Sequence, residues 1–211
     1  MRRIDGRPIE RFIADELAGP LGADFLLGCT EADGPRVVPG IPNPVNVLMN
    51  GGLVNARTLP LFHSAPAHPG FMATPGWLRA VNPSANGVSN ALGIARLFSL
   101  SATGGEQKGR RLFSSGTSAT ACEQQWHDDD SLFGNDFRVA LGLLLDCDFT
   151  HFGREGNVGS AGAGGYTVFA DPASCVAFGL APNRCTSGSS LGDESRLFVD
   201  ALFRWVWQRP A

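Results

Sequence analysis

The stretch HFGREGNVGSAGAGGYTVFADP, from His151 to Pro172, constrains this chain more than any other. Glycine stands at 153, 156, 159, 162, 164 and 165, and the chain then turns into the aromatic and β-branched run YTVFAD. Glycine loses more conformational freedom on folding than any other residue, so crowding it beside a strand suits a place where backbone is approached closely. A second apolar run, CVAFGLAPN (Cys175 to Asn183), follows across DPAS, whose Asp and Pro favour a turn, so the two runs read as a hairpin. Upstream, FRVALGLLLD (Phe137 to Asp146) reads as one buried strand. Downstream, DESRLFVDALFRWVWQ reads as a helix with Arg196, Asp200 and Arg204 as a solvated stripe and Leu197, Phe198, Ala201, Leu202 and Trp205 facing a core.

The N-terminal part has a different character. In RPIERFIADELAGP, Pro8 suits the first helical position, Ile9, Phe12, Ile13 and Leu17 recur at helical spacing, and Gly19-Pro20 supplies a stop. Between Thr30 and Gly87 lie nine prolines and little periodicity, which predicts mostly ordered loop, a length usually reserved for a lid or a disordered segment. SNALGIARLFSLSATGG then predicts a helix capped by Ser89 and ended by Gly104-Gly105. Residues 1–135 are thus expected to form a helical and loop subdomain, and 136–211 the strands and final helix of a sheet subdomain.

Composition excludes several functions. A net charge of -3 leaves no basic field for nucleic acid. MRRIDGRPIERF has no apolar secretion segment and the longest apolar run, VALGLLL, is too short to span a bilayer, so no membrane partner and a cytoplasmic location are expected. Cys29, Cys122, Cys147, Cys175 and Cys185 are odd in number and widely spaced, which suits reduced thiols. His63 and His68 offer two metal ligands without a third, and the acidic WHDDDS (Trp126 to Ser131) lacks the alternation and glycine of a calcium loop, so it reads as a solvated loop and no metal or cofactor is expected.

The glycine stretch also fails the common nucleotide and hydrolase signatures. No lysine follows it as a phosphate-binding loop needs, its glycines lead into a hairpin rather than a helix, and Val158 stands where a nucleophile elbow has its first glycine. Its wider context is more specific. GSAGAGGYTVFADP followed by CVAFGLAPNR resembles the third motif and closing hairpin of the serine β-lactamase and penicillin-binding-protein superfamily. The branch it is most similar to is the β-lactamase-related proteins and family VIII carboxylesterases, with their F-G-H-x-G-x-G-G-x-x-G-F-A-D-P pattern. ADELAGPLGADF resembles that branch's E-x-x-x-P-L-G helix end, and NPSANGVSNALGIARLF its N-G-x-x-x-A-x-x-x-A-R-L helix.

The resemblance implies an α+β fold of three-layer type, part of a β-lactamase/DD-peptidase-like architecture, with an antiparallel sheet, a C-terminal helix packed on it and a helical and loop subdomain. It implies a wall of the active site made by Ser160, Gly162, Ala163, Gly164 and Gly165, with the Ala163 N–H as oxyanion donor. Ser160 stands where the family has lysine or histidine. The family's chemistry also needs S-x-x-K and Y-x-N or Y-x-S. The single lysine, Lys108, has Gly105 three residues before it, and the single tyrosine, Tyr166, is followed by Thr167 and Val168, so both motifs are absent from these 211 residues.

The resulting expectation is the C-terminal half of a serine hydrolase of esterase ancestry, without the nucleophile region and inactive alone. The alternative is a non-catalytic binding or scaffold protein. Partners would be the missing half, a second copy, or a small ester-like or β-lactam-like ligand, the sequence leaving ester and β-lactam undecided. Within the chain, Ser160 with His151 is the one serine–histidine pairing proposed by proximity in sequence.

Overall fold

The computed structural model describes residues 1–43, 74–130, 135–162, 164–186 and 195–207. His63 and His68 and most of the proline-rich region lie outside them, as does Ala163.

A six-stranded antiparallel sheet organises the chain. Its strands are β5 (Trp126–Asp129), β6 (Asp136–Val139), β7 (Leu144–Leu145), β8 (Val158–Ala161), β9 (Thr167–Asp171) and β10 (Val176–Leu180), lying side by side in sequence order. Four shorter strands, β1 (Phe25–Leu26) with β2 (Val88–Ser89) and β3 (Glu106–Gln107) with β4 (Arg110–Arg111), form two small ladders elsewhere. The hairpin expected across DPAS is present, with Val176 opposite Asp171 and Leu180 opposite Thr167. FRVALGLLLD is two strands rather than one. Gly142, at a φ of 75°, lets the chain fold back so that Ala140 N–H donates to Leu143 O at 2.9 Å. WHDD is also a strand rather than a loop, so the sheet starts at Trp126. All four of its residues are exposed, and a sheet edge accepts such charges where an inner strand would not.

Alternation along the strands gives the sheet two faces. Val158, Ala170, Leu145 and Ala140 pack with Ala102 of helix α5 (Ala91–Ala102) on one. Phe152, Ala161 and Phe169 pack with Val199 and Phe203 of helix α7 (Arg196–Trp207) on the other. The result is helix, sheet, helix, an α+β fold in three layers. Burial of Val199 and Phe203 corrects the expected orientation of α7: Leu197, Phe198 and Trp205 are 76%, 57% and 55% exposed, and Ala201 is exposed too. The Arg196 and Asp200 side chains point instead towards the loop after β7, where Asp148 O and His151 receive them.

The remaining helices are α1 (Arg2–Asp5), α2 (Ile9–Ile13), α3 (Gly19–Leu21), α4 (Pro75–Arg79) and α6 (Ser115–Cys122). A π turn, Ala14–Ala18, joins α2 to α3, with Gly19 N–H reaching back five residues to Ala14 O. The wider turn accommodates the ring of Pro20, which an ordinary turn would drive into the carbonyl four residues back, so the helical run passes the expected stop and ends at Gly22, φ 60°. Pro8 precedes the first helical residue rather than occupying it. Ala18 and Leu21 of this run, with Ala23 just after it, pack with Leu100 of α5. The cap of α5 is Asn90, whose Oδ1 accepts the Gly93 N–H at 2.8 Å, because Ser89 is engaged by β1 and donates to Asp24 O at 2.6 Å. Among the described residues no helix is long and apolar enough to cross a membrane.

Candidate functional site

A cavity of about 900 Å³ opens between α5, the sheet and the loop around Val37–Pro39. Ser160 and Val168, directly opposed across β8 and β9, form part of its floor. Ile94, Leu97 and Phe98 of α5 supply an apolar wall, and Tyr166 stands at the end of the floor. The charged groups on the lining include Glu31 and Arg79, of opposite sign and both exposed.

The structure separates the serine and histidine that the sequence paired. Ser160 Oγ lies 3.0 Å from Tyr166 Oη, on the α5 side of the sheet. His151, at a φ of 49°, sits on the α7 side, with Nε2 3.0 Å from Asp200 Oδ1 and Nδ1 3.3 Å from Arg196 Nη1. Arginine only donates, so Nδ1 accepts and the ring proton on Nε2 points at Asp200. Both ring nitrogens are therefore used against α7, and the imidazole braces a helix rather than activating Ser160.

The glycines of the expected wall make the turn between β8 and β9. Gly162 N–H donates to Tyr166 O at 3.2 Å and Gly165 N–H to Gly162 O at 2.8 Å. A side chain on Gly162 would enter the Tyr166 ring, and Gly165, at a φ of 95°, has Thr186 packed where its side chain would be. Gly164 is half-buried with open space around it.

Tyr166 is the residue that sequence reading missed as a site group. The signal was present: the ladder that opposes Ser160 to Val168 and Ala161 to Thr167 continues to Gly162 opposite Tyr166, and period-2 alternation puts Tyr166 on the face of Ser160. Lys108 is exposed on the turn between β3 and β4, at a φ of 51°. The five thiols are free. Burial pushes those of Cys29 and Cys122 up, which makes poor nucleophiles of them.

Asp146, behind the glycine stretch, accepts the Phe152 N–H at 2.6 Å, and burial raises its carboxyl above the ordinary 3.8. The folded chain thus holds a proton that the unfolded chain has released, so this group lowers stability as pH rises from about 3.8 through its higher folded value, after which its effect is constant. Asp146→Asn, which keeps an acceptor oxygen, is expected to flatten that part of the profile. Urea midpoints at a series of pH values test it, and parallel profiles for the two proteins would refute it.

No family model matches the chain. Over 215 aligned residues it is 32% identical to the esterase/β-lactamase LipL of Mycobacterium tuberculosis, a match covering 92% of this chain and 47% of LipL. The crystal structure of a family VIII carboxylesterase superposes with a TM-score of 0.81 at 26% identity, covering 96% of this chain and 54% of that one. Along most of its length the chain is thus similar to an esterase/β-lactamase and to a family VIII carboxylesterase. A penicillin-binding-protein homologue from Caulobacter crescentus shares the fold, with a TM-score of 0.77 at 24% identity. The chain spans about half the length of the relatives it matches. The segment resembling that family's third motif, Ser160-Ala161-Gly162, lies on β8 and just beyond its end, with Ser160 on the floor of the cavity.

Proposed function

We propose that these 211 residues form the third-motif wall and ligand cavity of a β-lactamase-related serine hydrolase of esterase ancestry, and that by themselves they hold an ester-like ligand without turning it over. The observation that carries this reading is the placement of the two residue types the chemistry needs. The single lysine is on a solvent-exposed turn, and the single tyrosine shares its hydrogen bond with Ser160 and has no asparagine or serine two residues on. Among the described residues the Ser160 hydroxyl is hydrogen-bonded to the Tyr166 hydroxyl and has no amine or other base beside it to take its proton. Intact-mass measurement after incubation with a fluorophosphonate is expected to show no adduct, and p-nitrophenyl butyrate no turnover above buffer. A stoichiometric adduct that disappears in Ser160→Ala would refute the reading.

A second reading, that the chain serves by docking onto another polypeptide, is favoured by α7. Leu197, Phe198, Ala201 and Trp205 make an exposed apolar stripe on that helix, and among the described residues β5 and β10 are the outermost strands of the sheet. We propose as the occupant a segment equivalent to the half of the relatives that this chain does not span. Without it, sedimentation velocity is expected to show concentration-dependent self-association. A monomer with a sharp cooperative melt would refute this reading.

A further inference from the structure

We infer that Tyr166 is a ligand-binding residue, and that with Ser160 it presents a neutral pair of hydroxyls to the carbonyl oxygen of an uncharged, largely apolar ligand. The inference rests on the reading of the cavity as an ester-binding site and adds to it a residue and a charge preference. Four observations carry it.

The first is position. Tyr166 and Ser160 both line the cavity, and their oxygens are 3.0 Å apart. The second is proton accounting. An alcohol and a phenol bring two protons, and one of them fills the bond between the two oxygens. The other is left to donate outward, into a cavity whose nearest strand neighbour on the floor is Val168. A ligand carbonyl oxygen is the acceptor that satisfies it.

The third observation is fixation. The Tyr166 ring lies against Gly162, in the space a side chain there would fill, and the Tyr166 carbonyl is held by the Gly162 N–H at 3.2 Å. A side chain fixed in this way loses little further freedom when a ligand arrives, which is where preorganised binding gains its affinity. The fourth is charge. The pair itself carries none, Val168 opposite Ser160 is apolar, and so are Ile94, Leu97 and Phe98 on the lining of the same cavity. A carboxylate at this point would give up its hydration for two neutral hydroxyls, whereas a ketone or ester gives up much less.

Three probes of similar shape test the inference on the full chain by two-dimensional NMR titration: 4-phenyl-2-butanone, 3-phenylpropionate and butylbenzene. The ketone is expected to bind more tightly than the carboxylate. Tyr166→Phe, whose folding the same spectra verify, is expected to weaken the ketone by about fivefold, the loss of one net hydrogen bond, and to leave butylbenzene unchanged. Ser160→Ala in the Tyr166→Phe background is expected to add less than it does alone, because the two hydroxyls act as one pair. Equal ketone affinity for wild type and Tyr166→Phe overturns the role of Tyr166, and a carboxylate bound as tightly as the ketone overturns the charge preference. Failure of all three probes to bind wild type overturns the ligand-binding reading beneath it.

Discussion

Phe169→Ala is expected to remove about 3–5 kcal/mol of stability, a large share of the 5–15 kcal/mol typical of a folded domain. Phe169 is fully buried at the centre of β9, paired on one side with Gly159 of β8 and on the other with Phe178 of β10. Its ring stacks on three others, with centroids 5.9 Å from Phe152, 5.2 Å from Phe178 and 6.0 Å from Phe203. Truncation would therefore lose the transfer energy of the ring and the three aromatic contacts, and leave a cavity between sheet and α7 that backbone pairing on both sides keeps from collapsing. Phe178→Ala, on an edge strand and half-buried, should cost much less. Urea unfolding measures both, with the denaturant slope unchanged if the fold is kept. A Phe169→Ala loss below about 1 kcal/mol would show that the layer between sheet and α7 is not a packed core.

The elements that the sequence made legible are those whose signals are local. The β9–β10 hairpin follows from two β-rich runs and a turn tetrapeptide, and α5 from its spacing, although β1 claims the expected cap, Ser89, through its pairing with Phe25 and Asn90 caps the helix instead. The face of α7 was not legible, because apolar residues occupy most of its circumference. Only the Phe152–Phe169 layer decides that Val199 and Phe203 turn inward, and only Asp148 O and His151 explain why Arg196 and Asp200 also approach the protein. The site follows the same division. Ser160 was found through motif resemblance and Tyr166 was missed, although counting the ladder outwards from the Gly164-Gly165 turn places both on one face. His151 was misassigned because the eight residues between it and Ser160 carry the chain from the loop on the α7 side into β8, where Ser160 faces α5.

Removing Arg154 should destabilise the chain far more than removing any surface arginine. Asp171, the acid of FADP, is fully buried, and Arg154 Nη2 donates to its Oδ1. The same oxygen accepts the N–H groups of Ala173 at 3.1 Å and Ser174 at 3.2 Å, which makes the DPAS turn, and Arg154 Nη2 also donates to Ser174 Oγ at 2.8 Å. Oδ2 has no hydrogen-bond partner among the described residues. The guanidinium lies over the Phe203 ring at 5.8 Å from its centroid, so a single side chain joins the glycine segment, the β9–β10 turn and α7. Arg154→Ala would leave a buried carboxylate with no cation, an expected loss of about 3–5 kcal/mol. Arg11→Ala breaks an ion pair in which the arginine is 69% exposed and should lose about 0–1 kcal/mol. Asp171→Asn added to Arg154→Ala should restore part of the loss, since an amide is less costly to bury unpaired than a charge and can still accept the turn N–H groups. Chemical unfolding of the two single variants and the double variant measures the coupling directly. If Arg154→Ala lost no more than Arg11→Ala, the buried pair would not hold these three elements together.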